Sequence, residues 1–356
     1  SYLDLVALGT VADIVPLVED NRALAIAGLE RMRTAPRPGL RALFEKSGVR
    51  PGLADGETIA FRLGPRINAA GRLDHAGLAY RLLTAETLEE TQPLAAQLNG
   101  LNAERQRLLE EQFQQACSLL PAEPDKLLLV DDPAFHEGIV GLVASRLTET
   151  FYRPSLVMRR GDGEASGVAG LTRGSARSIE GFHVTKALEA CDDLLLRYGG
   201  HARAAGFTLA NDNLPAFYER LRAYAQDHLD ETTLRPKYMV DAIVTLSEIT
   251  ARTVEDLARL APFGEGNPDP ALATLGLEIL ELRAIGQEGK HLRLRLRESG
   301  GRPVSAVAFR MGRLAAQYKV GQRVDIIHRP TLNEWNGERV LELLVNAIRL
   351  TKPMQG

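Results

Sequence analysis

Histidine, serine and arginine stand beside glycine at several places in this chain, and these places carry its chemical potential. In RYGGHARAAGF (197–207), Gly199 and Gly200 run straight into His201, and Ala204, Ala205 and Gly206 follow closely. A glycine pair frees the backbone for positive φ and for close approach to another group. His201 would then project from a turn with space beside its ring. The alternative is a helix stop followed by a core histidine packed on small residues. GSARSIEGFH (174–183) is read as the opening of a helix, with Ser175 or Ser178 as cap and Arg177 in its first turn. Exposed N–H groups, a hydroxyl and a guanidinium there would suit an anion, whereas a plain N-cap beside a solvated arginine would not.

FHEGIVGLVASRL (135–147) puts His136 and two glycines before another helical pattern, either to cradle a phosphate or to make a tight loop. GPRINAAGRLDHA sets Arg66 and Arg72 six residues apart among small residues. The planar guanidinium fork usually finds carboxylate or phosphate, so salt bridging and anion binding both fit. Asp13 is read as the end of a buried strand, where it could hold Mg²⁺ or Mn²⁺ or cap a helix. In KHLRLRLRE, Leu292, Leu294 and Leu296 alternate with Arg293, Arg295 and Arg297. That pattern gives a basic strand face able to follow a phosphate backbone, or a solvated charged face. Trp335 stands at a hairpin tip where a base could stack, or where it packs on its own hairpin.

The elements that must position these residues point to an α/β multidomain protein. LVALGTVADIVPL has the β-branched composition of a strand. Residues 85 to 119 keep helical periodicity and good helix formers for most of their length. KLLLVDD and PSLVMRRGD are read as strands flanking the helical GIVGLVASRLTETF. SIEGFHVTKALEACDDLLLRYGG is read as a helix stopped by its glycines, residues 213 to 229 as another, and TTLRPKY as a linker. After a helical TVEDLARLAPFG, residues 238 to 350 are mostly strand-like, with Asn336-Gly337 as a hairpin turn. A five-stranded oligonucleotide-binding barrel fits them.

With 356 residues the chain is too long for one compact core. No apolar run approaches a membrane span and no signal-peptide pattern is present. Cys117 and Cys191 have no metal spacing and suit free thiols in a reducing cytoplasm. The net charge of -3 leaves any polyanion site to local clustering. The opening residues lack Met and read as the middle of a fold, so further residues are expected upstream of Ser1.

Taken in order, LDLVALGTVADIVPL, FRLGPRINAAGRL, LNGLNAERQ, FHEGIVGLVASRL, GSARSIEGFH, RYGGHARAAGF and APFGEGNPDP resemble the RecJ family of the DHH/DHHA1 phosphoesterase superfamily, from its fourth motif onward. The resemblance implies the end of a DHH α/β lobe over 1–84 and a connecting helix over 85–121. It further implies a DHHA1 domain over 122–235 and an OB-fold domain over 236–356. It implies a 5′-to-3′ exonuclease specific for single-stranded DNA, active in repair and recombination, that releases 5′-mononucleotides with a two-ion Mn²⁺ or Mg²⁺ site. It assigns Asp13, with Asp4 second, to that metal, and leaves the Asp-x-Asp and Asp-His-His ligands upstream of Ser1. His201 would bond a phosphate near the scissile bond. Arg66, Ser175 and Arg177, joined by Arg72, would hold the 5′ end, with Gly199, Gly200, Arg293, Arg295 and Trp335 along the strand. The expected partner is single-stranded DNA, with a single-strand-binding protein or helicase beside it, in a cytoplasmic monomer. The alternatives are a non-catalytic DNA-binding fragment or scaffold and a DHH-family oligonucleotide phosphodiesterase.

Overall fold

The computed structural model describes residues 2–161, 170–335 and 338–351. In chain order the helices are α1 (Leu3–Ala12), α2 (Glu19–Thr34), α3 (Pro38–Ser47), α4 (Gly56–Thr58), α5 (Gly64–Leu73), α6 (Gly77–Thr84), α7 (Leu88–Leu119), α8 (Val140–Phe151), α9 (Val184–Glu189), α10 (Leu214–His228) and α11 (Ala251–Ala258). The strands are β1 (Leu128–Asp132), β2 (Ser155–Arg160), β3 (Leu171–Arg177), β4 (Leu195–Gly200), β5 (Ala204–Ala210), β6 (Ala242–Ile243), β7 (Leu272–Ile285), β8 (His291–Arg297), β9 (Val304–Ala308), β10 (Arg323–Trp335) and β11 (Glu338–Leu350). Contacts divide the chain into one unit of Glu30–Lys237 and another of Ser1–Leu29 with Tyr238–Gly356.

In the first unit, α7 runs 32 residues, about 48 Å at 1.5 Å per residue. Thr87 caps it by accepting from the Glu90 N–H, and Pro93 lies inside its second turn, where it offers no N–H to the carbonyl of Glu89. The strands lie side by side in the order β1-β2-β3-β5-β4, with β1 and β2 parallel around the α8 crossover and the rest antiparallel. Side chains alternate across this sheet. Leu156, Met158, Ala176 and Phe207 pack with α9 and α10 on one face, while Val157, Leu128 and Val130 pack with α8 and the end of α7 on the other.

Two sequence expectations are corrected in this unit. GSARSIEGFH does not open a helix: its first four residues finish β3, and the following helix starts only at Val184, capped by His183. The glycines of RYGG do not stop a helix either, because they end β4 and turn into β5. Sheet pairing overrides helix-like composition here, since Gly174–Arg177 and all four residues of RYGG lie in register with β5.

In the second unit, β7, β8, β9, β11 and β10 pair in a circuit that returns to β7. The β9–β11 seam joins only three residue pairs, in parallel, so the ring is loosely closed there. This circuit is that of the oligonucleotide-binding fold. Leu292, Leu294 and Leu296 point into the barrel core as their alternation predicts. The Asn336-Gly337 turn lies outside the described residues.

Residues 3–17 differ from the strand reading. They begin with α1, whose buried positions Asp4, Ala7 and Leu8 follow the helical i, i+3, i+4 spacing. Gly28 of α2 admits this packing, since a Cβ there would fall 2.2 Å from the Leu3 carbonyl oxygen. Asp13 is therefore an exposed helix C-cap rather than a strand-end carboxylate.

His328 is fully buried in the barrel, with Nε2 2.9 Å from the Thr274 hydroxyl and Nδ1 lacking a partner among the described residues. Burial pushes its pKa down to about 4. The unfolded chain takes up this proton near the ordinary value of 6.5, the folded one only near 4. Stability is thus retained above pH 6.5 and lost as pH falls from there toward 4, by about 3 kcal/mol for this group. Unfolding midpoints at pH 7 and pH 4 should differ by clearly less in His328→Gln than in the parent.

Candidate functional site

The end of α5, the loop into α8 and the strand β3 bring their polar groups together in the first unit. Arg72 closes α5 and donates from Nη1 to the Gly138 carbonyl at 3.3 Å. Gly138 must be glycine there, because a Cβ would fall 2.1 Å from the Arg72 carbonyl oxygen. His136 shapes the same loop by accepting the Gly138 N–H on Nδ1 at 3.1 Å. Two residues inside the helix, Gly141 faces β3. Its missing Cβ would lie 3.1 Å from Ser175 Oγ and 3.2 Å from Arg177 Nη2. Its N–H has no acceptor among the described residues. Arg177 is steadied from Nη1 by Ser175 Oγ at 2.9 Å and the Ala176 carbonyl at 2.8 Å.

These groups line an open cavity of about 370 Å³, together with Arg173, Glu137 and Thr208. Glu137 is engaged by Arg173 at 2.7 Å. Neither Arg72 nor Arg177 has a carboxylate partner among the described residues. Burial pulls both below the ordinary guanidinium pKa, and Arg72 adds repulsion at Arg177. Two partly desolvated cations, a hydroxyl and a helix-start N–H without an acceptor among the described residues are the kinds of group that can receive an anion.

The bare backbone of RYGGHARAAGF has a place in this geometry. Ser175 lies opposite Gly206, and Gly206 lies opposite Gly199, so one row crosses three strands on a single face. A Cβ at Gly199 would meet nothing within 4 Å, and one at Gly206 only the Gly174 carbonyl at 3.9 Å. A strip free of side chains thus leads from Ser175 to the edge of β4. Gly200 serves the fold instead, since its Cβ would fall 2.3 Å from the Ala204 carbonyl. His201 follows at the β4–β5 turn, its N–H donating to Ala204 and its carbonyl accepting from Thr185. Its ring is exposed and has no hydrogen-bond partner among the described residues.

Arg66 takes a different direction from Arg72. It donates to Asn99 Oδ1 at 3.0 Å and to the Arg62 and Lys46 carbonyls. Six residues of helix place the two arginines about 120° apart around its axis. Arg105 was not singled out in the sequence, yet it lies close enough to Arg72 for repulsion to lower its pKa further after burial. The signal was available in LNAERQ, where Asn102 and Arg105 are one helical turn apart.

In the barrel unit, Arg293, Arg295 and Arg297 each pair with a glutamate, Glu342, Glu281 and Glu278 respectively. Trp335 ends β10, and its side chain lies outside the described residues. Among the described residues no group of three or more His, Cys, Asp or Glu could hold a metal ion. No helix among them is long and apolar enough to cross a membrane.

Two family models match this chain in order, the DHHA1 domain over residues 125–227 and the RecJ OB domain over residues 240–347. The single-stranded-DNA-specific exonuclease RecJ of Thermus thermophilus is 38% identical over 354 residues, 99% of this chain and 48% of that protein. The chain belongs to the RecJ family. RecJ of Bacillus subtilis is 36% identical over 345 residues, covering 96% of this chain and 43% of its own length. The crystal structure of Thermus thermophilus RecJ with Mn²⁺ matches at a TM-score of 0.84 and 35% identity, over 100% of this chain and 50% of that one. The chain spans about half the length of the curated RecJ relatives it matches. The cavity of Arg72, Ser175 and Arg177 lies where α5 and the RecJ DHHA1 domain meet.

Proposed function

We propose that this chain grips the 5′ end of single-stranded DNA for a RecJ exonuclease that removes nucleotides in the 5′-to-3′ direction. The observation that carries the reading is the cavity of Arg72, Ser175, Arg177 and the Gly141 N–H, in which neither guanidinium has a carboxylate partner among the described residues. A terminal phosphate bears more charge than an internal one, so such a pocket favours a chain end. Fixing that end sets how far along the strand cleavage falls, which is the physical origin of polarity. The strip over Gly206 and Gly199 would carry the next nucleotide toward His201, whose exposed ring can donate to a phosphate oxygen.

Hydrolysis in the complete protein would use two divalent ions, Mn²⁺ or Mg²⁺, to generate hydroxide and to stabilise charge on phosphorus. The described residues of this chain do not assemble such a site, and Asp13 by itself is one exposed carboxylate. The chain alone is therefore read as binding strands without cutting them. The OB barrel would hold the strand further along. Its glutamate-paired arginines are about half exposed, and ion pairs of that kind, worth 0 to about 1 kcal/mol, exchange readily for phosphate.

The experiment is digestion by the complete protein of single strands labelled at either end, with a 5′-phosphate or a 5′-hydroxyl. The reading expects label release from the phosphorylated 5′ end first, and a lower turnover with unchanged end binding in His201→Ala. Release from the 3′ end would contradict it.

A further inference from the structure

The arginines around this site share a feature that is not required for their packing. Apart from Arg173, which pairs with Glu137, each is oriented by neutral oxygen. Arg72 donates to a carbonyl, Arg177 to a carbonyl and a hydroxyl, and Arg66 to carbonyls and the Asn99 amide. Arg105 follows the same pattern, donating from Nε and Nη2 to Asn102 Oδ1 at 3.2 and 3.0 Å. Asn102 is 4% exposed, and Arg105 is half-buried. A carboxylate at position 102 would hold the same fork with a stronger, charge-assisted bond. The fold instead leaves Arg105 uncompensated beside Arg72, at a cost in desolvation and repulsion.

The position of Arg105 ties it to the phosphate cavity. Seven residues along α7, nearly two full turns, Gln112 sits on the same stripe. Its Oε1 accepts from the His136 N–H at 3.2 Å, in the loop that presents Gly138 and Gly141. Gln112 on this stripe therefore meets the loop that carries Gly138 and Gly141, while Arg105, a little under two turns away, lies within electrostatic reach of Arg72.

We propose that Asn102 is a positioning residue that orients Arg105 without neutralising it, so that Arg105 acts as a third cation, with Arg72 and Arg177, toward the terminal phosphate of the bound strand. This rests on reading the cavity as an end pocket. Asparagine supplies direction and leaves the full positive charge for the ligand. Aspartate would supply direction and cancel the charge.

The test measures affinity of the 356-residue chain for one oligonucleotide carrying either a 5′-phosphate or a 5′-hydroxyl, over a salt series. If the parent chain does not distinguish the two ends, the end-pocket reading itself fails, whatever Asn102 does. Where it does distinguish them, Asn102→Asp should reduce the preference for phosphate about tenfold. The slope of log affinity against log salt should fall by roughly one charge. The thermal midpoint should hold or rise, because the variant gains an ion pair. Arg105→Gln should reproduce the loss of preference and of slope. A merely structural asparagine would leave preference and slope unchanged in a folded Asn102→Asp, and that result overturns the proposal. If Asn102→Asp does not fold, Arg105→Gln decides alone, and an unchanged preference for phosphate refutes the role of Arg105.

Discussion

Replacing Arg177 by glutamine is expected to weaken binding of a 5′-phosphorylated strand by about tenfold to a hundredfold, and the Arg72→Gln, Arg177→Gln pair by roughly a thousandfold. Hydrogen bonds to charged groups contribute about 1.5–3 kcal/mol each, and every 1.4 kcal/mol is tenfold in affinity. Binding of the 5′-hydroxyl strand should change far less, because only the terminal phosphate meets both guanidiniums. The direction of the stability change is equally diagnostic. Both arginines are partly desolvated and Arg72 repels Arg177, so neutralising them should leave the thermal midpoint level or raised. Ordinary structural arginines would behave in the opposite way, with stability falling and end preference intact. Titration calorimetry and thermal unfolding on the same variants separate the two cases.

The second large effect is on the fold. Gly138→Ala places a methyl 2.1 Å from the Arg72 carbonyl oxygen, a backbone atom that cannot swing away. Overpacking of this kind costs about 1–3 kcal/mol, which lowers the melting midpoint of a unit of this size by roughly 2–12 °C. Because the strain parts α5 from the start of α8, phosphate preference should fall with it. Gly141→Ala is the control. Its nearest neighbours, Ser175 Oγ and Arg177 Nη2 at 3.1 and 3.2 Å, are side-chain ends that can yield. The midpoint should therefore hold while phosphate affinity drops, since the methyl occupies anion space. Equal melting losses in the two variants would mean that the loop is only a packing contact.

Motif content was more legible in this sequence than local conformation. The run of motifs gave the family and the order of its domains, because glycine, proline and arginine positions reflect backbone requirements that do not depend on periodicity. Helix α7 was equally plain, since thirty residues of good helix formers leave little choice. The failures came where short apolar or small-residue runs suit either state. Val6, Thr10 and Val11 favoured a strand at residues 3–17, yet packing against Gly28 selected a helix. Ser175 and Arg177 suggested a capped helix start, yet pairing with β5 selected a strand. The helix start proposed to receive the anion lies instead at Gly141, on the facing element. Arg66 and Arg72 could not be told apart by residue type. Only the helix geometry sends one to Asn99 and the other to Gly138. Arg105 escaped notice because its partner is an amide one turn away, a spacing common on any polar helix.

The central claim is that the groups at Arg72, Ser175, Arg177 and Gly141 recognise a phosphate at the 5′ terminus of an unpaired strand. The most direct measurement compares the affinity of the chain for one oligonucleotide carrying its terminal phosphate at the 5′ end or, alternatively, at the 3′ end. Total charge and sequence are then identical. Tighter binding of the 5′-phosphorylated strand by about tenfold or more is the predicted result. Equal affinity for the two, or preference for the 3′-phosphate, would contradict the account.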